Sequence, residues 1–171
     1  MAGRPRATNS NTPSGNMIRD SALGLVPQTL DHYMALNRHI WESGPLSPAE
    51  IEIARLRNAR KVNCVFCKSV RYDIAKADGL SEERVAMIED DFQGSALSER
   101  EKLILAFTDQ YLNEPSGLSV ELKEALLAEF SPEELVHLSM AVAHFNGFSR
   151  CAVALGGMPE KLPIMEMSVP R

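Results

Sequence analysis

The chain has 171 residues, enough for one ordinary domain with its own core and too few for two well-developed ones. Apolar residues make up 44% and charged residues 24%, a globular balance that excludes a disordered, charge-rich chain. With 18 Lys and Arg against 23 Asp and Glu the net charge is −5, which argues against a general nucleic-acid or anionic-membrane binder.

Residues 1–20 are rich in Pro, Gly and Asn and carry Arg4, Arg6 and Arg19, and they are read as a flexible tail. Residues 1–16 lack the apolar stretch of a secretory signal. No apolar run reaches the roughly 20 residues that cross a bilayer, so a cytoplasmic protein without membrane contact is expected. A first helix is predicted over 28–43. From Leu46 onward one punctuation recurs: an apolar residue, then Ser, then Pro or acids. Leu46-Ser47-Pro48-Ala49-Glu50, Leu97-Ser98-Glu99-Arg100-Glu101 and Phe130-Ser131-Pro132-Glu133-Glu134 all fit Ser-x-x-Glu, in which the Ser oxygen caps an early N–H and the Glu reaches back to the cap. Pro48 and Pro132 fall where a missing N–H costs nothing. Ser81 and Ser119 mark two weaker starts.

These signals, with 3.6-residue apolar spacing at Leu103, Ala106, Phe107, Gln110 and Tyr111 and at Leu135, Leu138, Val142 and Phe145, predict further helices over 47–61, 64–77, 81–91, 98–113, 119–129 and 132–155. No alternating run suggests a sheet. The fold class is therefore all-α, a single domain over 21–155 of about six or seven helices. Residues 156–171, with Pro159, Pro163 and Pro170, form an expected extended tail along this subunit or a neighbour. One internal echo places Ser47-Pro48-x-Glu50 84 residues before Ser131-Pro132-x-Glu134, read as two well-capped helices rather than a duplication.

Three cysteines, Cys64, Cys67 and Cys151, are too few and of the wrong parity for a secreted disulfide framework. Cys64 and Cys67 stand three apart, close enough on a helix for reversible bridging, with Asn63 as the expected cap. In a first turn the free N–H groups and the helix dipole favour thiolate. From Arg55 to Tyr72 there are six Lys or Arg and no acid, which favours thiolate further and suits an anionic ligand. The competing readings are a buried structural pair and a zinc site. Zinc needs four ligands, whereas His32 and His39, like His137 and His144, stand two turns apart, so no metal and no cofactor are expected. His144, near Asn146-Gly147, is the one histidine singled out. Glu52, between Ile51 and Ile53, is either a carboxylate poised for proton transfer or the partner of Arg55 or Arg57 on its own helix.

Glu52, twelve residues, Cys64-x-x-Cys67, and then Gly79-Leu80-Ser81 together resemble the carboxymuconolactone decarboxylase family, and within it the AhpD-like alkylhydroperoxidase branch. The resemblance runs from Asp31 to Leu155 and takes in Trp41, Leu46-Ser47, Glu134-Leu135-Val136 and Asn146-x-x-x-Arg150. It implies an AhpD-like helical bundle and a homo-oligomer, trimer or hexamer, with the long helix from Leu135 to Leu155 as an interface element. It also implies Cys67 as attacking thiolate, although the dipole alone favours Cys64, with Cys64 as resolving partner and Glu52 in a proton relay. The family has His four residues after the second Cys, where this chain has Arg71. Arg can hold a thiolate or a peroxide oxygen but stays protonated and cannot shuttle a proton as His does.

The expected activity is hydroperoxide reduction through a Cys64–Cys67 disulfide, a peroxidase-type antioxidant reaction with a dithiol protein as reductant. The alternatives are an acid–base enzyme acting on a small anionic lactone, as in the decarboxylase branch, and a non-catalytic helical oligomer whose cysteines form a redox switch.

Overall fold

A computed structural model describes residues 4–170; of the two expected tails, residues 1–3 and 171 lie outside the described residues. The chain folds as an all-α protein with one two-stranded sheet: a 3-10 turn at Ala22–Leu25, α1 (Pro27–Glu42), α2 (Pro48–Lys61), α3 (Val65–Ser69), β1 (Val70–Tyr72), α4 (Asp73–Ala77), α5 (Glu82–Ala86), a 3-10 turn at Phe92–Gly94, α6 (Glu99–Asn113), α7 (Val120–Glu129), α8 (Pro132–Leu155) and β2 (Met165–Met167). Among the described residues no helix is long and apolar enough to cross a membrane.

The three capping boxes form as expected, at Ser47 with Glu50, Ser98 with Glu101 and Ser131 with Glu134. Ser81 and Ser119 also cap, accepting from the N–H groups of Arg84 and Leu122. Arg100 then pairs with both Glu50 and Glu134, tying the starts of α2 and α8 together.

The centre of the molecule is α2, packed between α6 and α8. Ile51, Ile53, Ala54, Leu56 and Ala59 are at most 1% exposed, and each large aliphatic chain among them contributes about 1.5–3 kcal/mol by leaving water. A helix buried on every side is ordinarily apolar throughout. This one also buries Glu52, Arg55, Arg57 and Asn58, and each has a partner: Glu52 with Arg55, Arg57 with Asp109 and Asp90, Asn58 with Ser149.

Two expected helices are cut short for one physical reason. The 64–77 segment breaks after Ser69 because Arg55 from α2 donates to the carbonyls of Cys67 and Val70, both at 2.8 Å, taking acceptors a continuing helix would use. The freed residues of β1 pair in parallel with β2, Val70 opposite Met165 and Tyr72 opposite Met167. Part of the C-terminal segment is thus a strand lying on its own subunit. Likewise the 81–91 helix ends at Ala86, where Arg60 donates to the carbonyls of Val85 and Ile88.

Candidate active site

The cysteine pair sits where two helices change direction. Asn63 has φ of 56°, the left-handed conformation Asn tolerates, and it ends α2: the N–H of Asn63 bonds the Arg60 carbonyl and that of Cys64 the Ala59 carbonyl. Asn63 is therefore the stop of α2 rather than the expected cap of the next helix. Cys64 takes that place, its sulfur accepting from the Cys67 N–H at 3.2 Å. Cys64 and Cys67 are joined as a disulfide with Cα atoms 5.2 Å apart, within the usual range for such a bridge. Cys151 is free and exposed on α8.

The two sulfurs face different surroundings. Cys64 is 0% exposed against Ala59 and Phe66, whereas Cys67 is 7% exposed and faces a cavity of about 40 Å³. That cavity has apolar walls from Phe66, Phe145 and Phe148 and polar groups from Asn37, Arg55, Tyr72, His144 and Ser149. Ile18, Phe66 and Phe148 also line a neighbouring, larger and mostly apolar cavity of about 340 Å³ between the N-terminal segment and the residues after α8.

Of the residues singled out from sequence, Glu52 is fully buried and grips Arg55 with both oxygens, at 2.6 and 2.7 Å. Burial works against the Arg55 charge, and the charge and hydrogen bonds of Glu52 outweigh it, raising the guanidinium pKa. Glu52 thus reaches the disulfide through Arg55, and of the two readings open in the sequence the geometry is that of the ion pair. Arg71 turns away. Its guanidinium bonds Glu82 at 2.9 Å and the carbonyls of Lys68 and Val70, and it does not line the Cys67 cavity. The expected contact between Arg71 and a thiolate or peroxide is absent from this arrangement, because Glu82 at the start of α5 draws the side chain outward.

His144 does face the cavity. It stacks on Tyr33 with ring centroids 4.1 Å apart, and its Nε2 lies 3.1 Å from Asn37 Oδ1. Burial pulls its pKa down to about 4, so it is neutral near neutral pH. Burial likewise pushes the Tyr33 and Tyr72 phenols up. His137, by contrast, is a structural residue: Nδ1 takes the Leu46 N–H and Nε2 meets the Ile40 carbonyl, and a Cβ on Gly44 would lie 1.8 Å from its ring.

Sequence reasoning missed Asn37, Asn58 and Ser149. Asn58 Nδ2 donates to Ser149 Oγ at 3.1 Å, and Ser149 Oγ lies 3.4 Å from Cys67 Sγ. Asn146 Nδ2 donates to Asn58 Oδ1 at 3.0 Å, so the Asn146-x-x-x-Arg150 motif was the available signal for this cluster. Among the described residues no three His, Cys, Asp or Glu side chains converge as a metal site.

No family model matches the chain. Two uncharacterised proteins of Mycobacterium tuberculosis, from strains CDC 1551 and H37Rv, are each 33% identical to it over 111 residues, or 65% of the chain. The chain spans only 39% of the length of these relatives. Among solved structures, a protein of unknown function from Agrobacterium tumefaciens, described as a candidate antioxidant defence protein AhpD, superposes with a TM-score of 0.67 at 26% identity, covering 77% of this chain and 90% of that one. An uncharacterised peroxidase-related protein from Ralstonia eutropha, described as an alkylhydroperoxidase AhpD core, gives 0.68 at 17% identity, covering 82% and 75%. Another peroxidase-related protein, from Silicibacter, gives 0.66 at 17% identity, covering 78% and 71%. The last two comparisons bear on fold alone. The fold is AhpD-like, consistent with the branch of the carboxymuconolactone decarboxylase family that the sequence resembles.

Proposed function

We propose that this chain, on its AhpD-like fold, is a thiol-dependent hydroperoxide reductase that cycles Cys64 and Cys67 between dithiol and disulfide. One observation carries the reading: of two sulfurs within bridging distance, Cys67 faces a cavity and Cys64 is sealed behind it. An attacking sulfur must meet substrate, and a resolving sulfur need only meet the first.

In this reading the Cys67 thiolate attacks the outer oxygen of a hydroperoxide. The O–O bond breaks, Cys67 becomes a sulfenic acid, and the departing alkoxide takes a proton from water. The Cys64 thiol then displaces hydroxide from that sulfenic acid, forming the S–S bond and releasing water once the displaced group is protonated. A dithiol protein returns both thiols. Room for the reacting group exists beside Cys67, and the adjoining apolar cavity suits an organic substituent. Glu52 enters as a positioning residue, because it fixes Arg55 and Arg55 fixes the Cys67 carbonyl. Arg71 enters only as a strut between β1 and α5. A homo-oligomer belongs to the same reading, and exposed Val136 and Met140 on α8 support it.

The test is hydroperoxide consumption by the reduced protein and its serine variants. Cys67→Ser is expected to abolish consumption. Cys64→Ser should consume one equivalent and stop with a sulfenic acid at Cys67, trapped by dimedone and located by peptide mass. Consumption by Cys67→Ser at the wild-type rate overturns the assignment.

A further inference from the structure

We propose that Arg150, Asn146, Asn58 and Ser149 form a one-way chain of hydrogen bonds that holds Cys67 as a thiolate. This rests on the reading of Cys67 as the attacking sulfur.

The chain crosses between two helices, with Asn146, Ser149 and Arg150 on α8 and Asn58 on α2. Arg150 Nε donates to Asn146 Oδ1 at 2.9 Å, Asn146 Nδ2 to Asn58 Oδ1 at 3.0 Å, and Asn58 Nδ2 to Ser149 Oγ at 3.1 Å. The last link is the Ser149 hydroxyl, which donates to Cys67 Sγ at 3.4 Å with that sulfur in its disulfide form, and the same atom carries the thiolate charge after reduction. Chemistry sets the direction. A guanidinium has donors and no acceptor, so Asn146 must offer it the amide oxygen and turn the amide nitrogen to Asn58. Asn58, its oxygen thereby occupied, must donate to Ser149. The hydroxyl, having accepted, keeps its own proton for the sulfur.

Every link therefore points positive density at one atom. Aligned hydrogen bonds polarise one another, and donors aimed at the charged form of an acid lower its pKa. Asn58 is 0% and Ser149 3% exposed, so the inner links act away from water, where such bonds count for more.

The charged and titratable groups packed around Cys67 leave this role open. On α2, Arg55 faces the cavity, but Glu52 cancels its charge through two hydrogen bonds. On α8, His144 is neutral, and on β1 Tyr72 is a neutral phenol. Lys68 on α3 reaches out to Asn63, and Arg71 pairs with Glu82. Cys64, the titratable group nearest Cys67, brings no positive charge as a reduced thiol, and the donor chain ends in a hydrogen bond donated to the Cys67 sulfur itself.

The test is the pH dependence of Cys67 alkylation by iodoacetamide in the reduced full-length protein, resolved by peptide mass. Ser149→Ala is expected to raise the Cys67 pKa by about one unit, roughly a tenfold loss of thiolate at pH values well below it, and Ser149→Thr to restore it. Arg150 is exposed, so its variants leave the cavity intact. Arg150→Met is expected to raise the pKa by a smaller amount, and Arg150→Lys, again a donor only, to bring it back. Profiles of Ser149→Ala and Arg150→Met that superimpose on wild type overturn the chain. Hydroperoxide consumption is followed on the same samples. Turnover with unshifted profiles sinks the chain and spares the reductase; shifted profiles with an inert wild type uphold the chain and sink the reductase.

Discussion

Glu52 and Arg55, one turn apart on α2, form a two-toothed ion pair inside the protein, and the other N–H groups of Arg55 close over the carbonyls of Cys67 and Val70. The pair explains how a central helix can carry charge, and it fixes where the cysteine-bearing segment stops being helical.

Removing one partner of a buried ion pair strands the other. Glu52→Gln is expected to lower the free energy of unfolding by about 3 kcal/mol, read by urea denaturation, and to speed amide exchange over residues 67–72. A loss below about 1 kcal/mol would mean that Arg55 holds the two carbonyls without its counterion.

Arg71 is a strut in this structure, so Arg71→Met is expected to change hydroperoxide turnover by less than about threefold, under 1 kcal/mol of barrier. Its loss strips a donor from the Lys68 and Val70 carbonyls and should cost about 1–3 kcal/mol of stability, read by urea denaturation. A hundredfold drop in turnover with unchanged stability would put Arg71 back in the chemistry.

His144 gives the protein an acid sensitivity with a definite sign. Its folded pKa of about 4 lies below the ordinary 6.5, so the unfolded chain binds the extra proton more readily. The associated stability is complete above pH 6.5 and is lost as pH falls through that window towards 4, by about 3 kcal/mol at most. His137, drawn down by burial as well, adds in the same direction. His144→Phe, which keeps the stack on Tyr33, is expected to flatten the dependence of unfolding free energy on pH between 6.5 and 4. An unchanged slope would contradict a buried, neutral His144.

β2 is held by the pairing with β1, by Lys76 with Glu166 and by Ser168 with Asp73. Truncation after Leu162 removes all three. It is expected to lower the melting temperature by about 5 °C and to expose the amides of Val70 to Tyr72 to exchange. Unchanged protection there would show that Arg55 alone fixes β1.

Much of the scaffold was legible in the sequence because its signals are local. Ser47, Ser98 and Ser131, each with a Glu three residues on, mark the starts of α2, α6 and α8 within a residue, since a capping box needs nothing beyond one turn. The Cys64–Cys67 bridge was legible from spacing. The break after Ser69 was not, because it depends on Arg55, a helix away, and on residues 165–167, nearly a hundred residues further on. The direction of Arg71 was hidden for the same reason: only the fold shows that Glu82 claims it. Asn58 and Ser149 read as ordinary helix polar residues until α2 and α8 are packed, when each becomes the other's partner.

The most direct measurement is the number of titratable thiols in the fully reduced protein before and after one equivalent of an organic hydroperoxide. The chain has three cysteines, and the expected result is a fall to one free thiol, at Cys151, with no covalent dimer on non-reducing electrophoresis. Three thiols surviving an excess of hydroperoxide would contradict the reading of Cys64 and Cys67 as a catalytic pair.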